Sequence, residues 1–159
     1  MDDKLSKRLK DPKRRPYLLI SLFSVILILY FLVPFYKTVN GKDTALISGF
    51  ASLAYLKDRM DFLYYASMMN ILSIVFSFLL LVLSLLQVFF FKDMNRKITI
   101  DIILFYSLKT LSDILMLVFS YLTKTNVKPS LGAFAQIAFT VLFFVLSLLL
   151  IMDKKKRNS

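Results

Sequence analysis

The sequence predicts an all-α membrane protein, an antiparallel four-transmembrane-helix bundle with a small extracellular loop that holds a hairpin and a short helix. Three observations lead there. Of the 159 residues, 58% are apolar, against roughly 45–50% in soluble domains on a count that also includes Gly. The apolar residues fall in long blocks bounded by basic residues or turn formers. The formal charge of +11 is concentrated where four crossings would bring the basic clusters to one side.

Each element follows in order. Residues 1–16 form a basic segment carrying Lys4, Lys7, Arg8, Lys10, Lys13, Arg14 and Arg15. A hydrocarbon core ~30 Å thick takes about 20 apolar residues in a helix, and residues 17–36 supply a first such run without a charge before Lys37. That run is longer than the apolar part of a signal peptide, and Val33-Pro34-Phe35 is a poor cleavage site, so it reads as an uncleaved anchor. The outer loop, 37–65, contains Asn40-Gly41 between Thr38-Val39 and Lys42-Asp43-Thr44. This is a strong hairpin signal, because both central residues of a type I′ turn need positive φ. Ser48-Gly49 then breaks the chain ahead of Phe50–Leu56, expected as a short helix lying flat with its aromatics at headgroup level.

The second span covers 66–91, the third 98–122 and the fourth 131–152, followed by the basic tail 153–159. Lys92–Lys97 and Thr123–Ser130 are tight connections, so neighbouring spans should pack antiparallel. Pro129 ends any helix in the second of these, and Gly132 opens the next. A water-soluble bundle would show a polar helix face at a period of 3.6. In Val75–Leu86 and Val141–Ile151 only Ser interrupts the apolar run.

Charge placement orients the chain. Seven basic residues precede span one, Lys92, Arg96 and Lys97 lie between spans two and three, and Lys154, Lys155, Lys156 and Arg157 follow span four. The opposite side has Lys37, Lys42, Lys57, Arg59, Lys124 and Lys128, and Lys109 lies within a span. Cytoplasmic loops collect Lys and Arg. The expected placement is therefore a multi-pass protein of the plasma membrane with both termini in the cytoplasm. The basic clusters then face anionic lipid, and nucleic acid is not an expected partner.

Spans associate in lipid through small residues, close packing and polar contacts. At ~100° per residue, Asn70, Ser73, Ser77 and Ser84 fall within about 60° of arc on span two, and Gly132, Gln136, Thr140 and Ser147 within about 80° on span four. These stripes read as helix-packing seams. Span three carries Tyr106, Lys109, Asp113 and Ser120 on one face about 60° wide, with Asp101 near its inner end. A charge at mid-bilayer costs roughly 2.5–3.5 kcal/mol on insertion scales, so this polar cluster is expected to face protein rather than lipid. Lys109 and Asp113, at i,i+4, can pair, with Tyr106 and Asn70 or Gln136 as expected hydrogen-bond partners. Two roles remain open: a buried clamp, or a titrating site in transport. No Gly or Pro breaks spans two or three, whereas transporters use discontinuous helices and internal repeats.

The composition narrows the chemistry. The chain has no His, no Cys and no Trp, and all ten acidic residues are Asp. Thiol nucleophiles, imidazole bases, His- or Cys-ligated zinc and haem axial ligands are excluded, as are disulfides and a lipoprotein cysteine. No catalytic residue, metal or other cofactor is expected. Asp101 and Asp113 lie ~18 Å apart by helical rise, too far to act as an aspartyl dyad.

Span one ends in Phe31-Leu32-Val33-Pro34-Phe35, the outer loop carries Ser48-Gly49-Phe50, and Gly132-Ala133-Phe134 opens span four. In this order of features the chain resembles the small four-span bacterial membrane proteins of mostly uncharacterised function. The resemblance implies a topology and little about a task. The Lys, Asp, Phe and Tyr usage fits an AT-rich bacterial genome. The expected function is that of a non-enzymatic membrane protein acting by contacts, an accessory subunit or an immunity-type protein, with a membrane-protein partner or further copies of itself. The alternatives are a small oligomeric pore of the holin kind and a small transporter subunit using Lys109 and Asp113.

Overall fold

Among the described residues, four helices and three short strands follow in the order α1 (Arg15–Tyr30), β1 (Pro34–Asn40), β2 (Asp43–Ser48), α2 (Phe62–Phe89), α3 (Arg96–Leu122), β3 (Val127–Pro129) and α4 (Leu131–Arg157). The structure, a computed structural model, describes residues 11, 13–40, 43–49, 62–91, 96–123 and 126–157, with the backbone alone at 39, 40, 43, 44 and 153–157. The expected interfacial helix, Phe50–Leu56, lies outside the described residues, as do most of the connection 92–97 and the tip of the hairpin.

Three of the helices, Phe62–Phe89, Arg96–Leu122 and the Leu131–Met152 part of α4, are long and apolar enough to cross a membrane. The helix α1 is shorter than its apolar run. The expected span 17–36 is helical only to Tyr30, and 16 residues rise ~24 Å. The reason is local. Phe31, Leu32 and Val33 donate to the carbonyls three residues back, at 3.2, 3.0 and 2.9 Å, a tightening typical of a helix end. Pro34 then forces Val33 out of the helical region and starts β1, where its missing N–H is tolerated.

The strands form one antiparallel sheet in the order β2-β1-β3. The hairpin pairs Asn40 with Asp43, so residues 41–42 connect the strands, one position later than a turn centred on Asn40-Gly41. This register sets Ile47 opposite the buried Tyr36. A bulge between Pro34 and Tyr36 lets the consecutive side chains Phe35 and Tyr36 both be buried, which strict alternation would forbid. The strand β3 is a finding: Thr123–Ser130 is not a bare turn, because Val127, Lys128 and Pro129 pair with Thr38, Lys37 and Tyr36. It is an edge strand, where proline is accepted.

The helices pack side by side as α1–α2, α2–α3, α3–α4 and α4–α1, and each of these neighbouring pairs runs antiparallel. Ser21 meets Ser84; Phe62 and Phe76 meet Phe119 and Phe105; Tyr106 and Tyr121 meet Phe144 and Phe134; Phe23 and Tyr30 meet Phe143 and Phe139. At one end, the Arg14 guanidinium donates to the carbonyls of Val88 and Phe91, satisfying acceptors that the end of α2 leaves open. At the other end, Ser130 ties α4 to the sheet. Its N–H donates to the Phe35 carbonyl at 2.7 Å, its hydroxyl donates to the Pro34 carbonyl, and its Oγ accepts from Gly132 N–H at 3.2 Å as an N-cap.

The interior mixes polar with apolar side chains. Ser24, Ser67, Asn70, Ser73, Ser77, Lys109, Asp113, Gln136 and Thr140 are fully buried, while Leu22, Leu29, Phe78, Val82, Leu104, Leu111, Leu142 and Leu149 are exposed. Soluble monomers rarely expose contiguous apolar patches beyond a few hundred Å². Polar side chains kept inside, with large apolar ones exposed on every helix, make the surface of a membrane protein.

Gly132 shows how closely sheet and helix meet. A Cβ there would collide with the Pro34 carbonyl oxygen, so the two backbones would have to separate. Gly132→Ala is expected to cost about 1–3 kcal/mol, as overpacking does, and to lower the thermal midpoint in mild detergent. An unchanged midpoint would contradict this close approach.

Candidate functional site

The helix α3 turns Tyr106, Lys109, Asp113, Met116 and Ser120 inward, the three- and four-residue steps of a single helical face. Lys109 and Asp113 have no exposed surface, and the ammonium lies 3.0 Å from Asp113 Oδ2. Two further helices complete the cluster. Lys109 Nζ donates to Ser73 Oγ on α2 at 2.7 Å, and the Ser73 hydroxyl in turn donates a hydrogen bond to Asp113 Oδ1. Thr140 on α4 donates to Asp113 Oδ2 at 2.8 Å. The carboxylate therefore accepts from three side chains on three helices. The first helix contributes by its end: the Phe31 ring centroid lies 5.4 Å from Lys109 Nζ, within the range of a cation–π contact.

These partners differ from the expected ones. Ser73 and Thr140, singled out only as packing positions, hold the charges. Asn70 instead donates from Nδ2 to the Gly49 carbonyl at 2.6 Å, holding the chain after β2 against α2. Gln136 is fully buried, and neither its amide nitrogen nor its oxygen has a hydrogen-bond partner among the described residues. Tyr106 lies about one turn before Lys109 on α3, beside Ser24 and Ser147 and stacked on Phe144 with centroids 5.5 Å apart. Ser120 donates to the Met116 carbonyl at 2.6 Å and sits next to Tyr36. Outside the helices, burial pushes the Tyr36 phenol up to about 12, with the Ser120 hydroxyl pulling weakly the other way. Asp101 is half-buried and does not join the cluster.

Of the remaining packing positions, Ser77, Ser84 and Ser147 are buried and Gly132 is half-buried. Ser77 bonds back to the Ser73 carbonyl at 2.9 Å, Ser84 meets Ser21 across to α1 at 2.8 Å, and Ser147 is 2% exposed. Two participants had no signal in the sequence. Phe31 and Tyr36 read as part of an apolar run, and their roles depend on α1 ending before them.

The chemistry open to this cluster is limited. A serine hydroxyl beside a lysine amine is the arrangement of Ser–Lys nucleophilic catalysts, where the amine takes the hydroxyl proton. Here the nitrogen donates to Ser73 and is bound to a carboxylate, and the Ser73 proton is directed at Asp113. All four side chains are fully buried. No group of three or more His, Cys, Asp or Glu that could hold a metal ion occurs among the described residues. No family model, curated protein or solved structure matches the chain.

Removing one member of a buried ion pair costs about 3–5 kcal/mol, whereas replacing both by apolar residues of similar size is often neutral or stabilising. Asp113→Asn or Lys109→Met alone is expected to lower the detergent unfolding midpoint sharply, and the double change Lys109→Met with Asp113→Leu to restore most of it. Thr140→Val should cost less, about 0.6 kcal/mol on average for a membrane hydrogen bond. A double variant as unstable as the singles would show that the charges are needed for more than mutual neutralisation.

Proposed function

We propose that the chain is an integral protein of the plasma membrane that crosses it four times as an antiparallel helix bundle. Both termini then lie in the cytoplasm and the sheet outside. It acts through contacts with other membrane proteins rather than by catalysis, as an accessory subunit or an immunity-type protein. The observation that carries this reading is the closed Lys109–Ser73–Asp113–Thr140 network. Charges spent entirely on one another and on neighbouring helices act as a clamp, and leave the apolar exterior and the sheet as the surfaces that meet a partner. The exterior also weighs against an oligomeric pore. Large hydrophobic side chains are exposed on each of the four helices, and pore subunits need a polar stripe on the face that lines the channel.

The short α1 is compatible with a fourth crossing. It packs antiparallel against both α2 and α4, and its exposed residues include Leu19, Leu22, Val25, Ile26 and Leu29. A short span is accommodated by local thinning of the bilayer and snorkelling of flanking residues, and the exposed Arg15 stands at its start.

Because the chain has no cysteine, single-cysteine labelling tests the topology against a silent background. A membrane-impermeant maleimide applied to intact cells should label Leu46→Cys on the sheet, and should reach Ser6→Cys or Ser159→Cys only after lysis. Labelling of the two terminal positions from opposite sides would overturn the topology. For the mode of action, crosslinking in native membranes should recover a second membrane protein, and proteoliposomes should show no pH-dependent flux that Asp113→Asn abolishes. Recovery of self-contacts alone would count against the accessory-subunit reading, and such a flux would favour transport.

A further inference from the structure

The outward face of the sheet carries a row that the clamp does not explain. In register, Leu46, Lys37 and Lys128 lie side by side across β2, β1 and β3, and all three are exposed. Like charges directly opposite one another in a ladder are destabilising. Lys128 Nζ has one hydrogen bond, to the Thr123 carbonyl at 3.3 Å. Lys37 has neither an ion pair nor a hydrogen bond from its side chain among the described residues. Below Lys37 opens a cleft of about 710 Å³, bounded by the last residue of α1, the end of α3, the first turn of α4 and the sheet. Tyr30, Leu46, Tyr121, Leu131 and Phe134 line it, and among the described residues Lys37 is its one charged lining residue and no acidic side chain lines it.

We propose that this cleft seats an anionic phospholipid of the leaflet at the sheet end. The acyl chain lies along Leu131 and Phe134, and the phosphate sits against Lys37 with Lys128 beside it across the ladder. The proposal rests on the membrane placement above, which puts the cleft where helix surface gives way to sheet. Three features fit this occupant. The wall is apolar toward the helices and cationic toward the sheet, the polarity of a lipid from tail to head. Tyr30 and Tyr121 stand at the change, at the depth where tyrosine is enriched in membrane proteins. A phosphate beside the two lysines also offsets the repulsion that the register imposes on them. This site lies at the opposite end of the helices from the start of α1 and the end of α4.

The absence of tryptophan makes the test direct. Phe134→Trp places a single indole in the wall of the cleft. Phe78→Trp places one on the exposed middle of α2 as a control. Each full-length variant is reconstituted in phosphatidylcholine vesicles containing a minor share of acyl-brominated lipid, either phosphatidylglycerol or phosphatidylcholine. Brominated phosphatidylglycerol is expected to quench F134W preferentially and to quench F78W no more than brominated phosphatidylcholine does. The preference at F134W should fall about fivefold with Lys37→Gln and further with Lys128→Gln added, the size expected for single lysines near an anionic surface. Both lysines are exposed, so these changes leave the core untouched, and an unchanged unfolding midpoint checks this. Equal quenching of F134W by the two lipids overturns the proposal, as does a preference that survives loss of both lysines. Quenching that follows protein density rather than lipid charge assigns the cleft to a second copy of the chain and overturns it too. If neither lipid quenches either indole, the membrane placement itself fails.

Discussion

A carboxylate cut off from water has to find its hydrogen-bond donors inside the protein, and in this chain Asp113 finds them on three helices. Ser73 on α2, Lys109 on its own helix and Thr140 on α4 each hold one element in rotation about its axis. Lipid is as apolar as leucine, so burial of hydrocarbon alone does not choose which helix face turns inward. Polar contacts make that choice, and the choice is steep, since a charge left facing lipid costs several kcal/mol. Around the pair, the buried stripes of Asn70, Ser73, Ser77 and Ser84 and of Gln136, Thr140 and Ser147 extend the same discrimination along α2 and α4.

The sheet depends on the helices and limits them in turn. Its central strand begins where α1 is stopped by Pro34, and its third strand leads through Ser130 into α4. Gly49 and Gly132 lie where other parts of the chain approach too closely for a side chain: the Phe31 and Phe35 rings at the first, the Pro34 carbonyl at the second. The same early stop of α1 brings Phe31 over the Lys109 ammonium. One proline thus links the end of a helix, the start of a sheet and the surroundings of the buried charge.

Much of this was legible in the primary structure because it follows from local pattern. The three long helices appear where apolar runs of sufficient length appear. The inward faces of α2, α3 and α4 could be read from polar residues spaced at three, four and seven. The pairing of Lys109 with Asp113 follows from i,i+4 geometry. The less legible features have a common origin, in that each depends on the relative position of segments distant in the chain. That Ser73 and Thr140, rather than Asn70 and Gln136, reach the charges is a matter of how far one helix slides along another. Val127–Pro129 is too short to announce a strand and becomes one only because β1 lies alongside.

The sequence by itself determined the apolar segments, the seams along which the helices pack and the ion pair within α3, because periodicity and hydropathy are properties of neighbouring residues. The stop of α1 ahead of Pro34 is local too, whereas the tertiary structure alone decided which hydroxyls satisfy Asp113 and that two lysines from separate connections stand side by side on the sheet. Those outcomes are set by axial register between helices and by strand pairing across long loops, and neither is encoded in any single window of the chain.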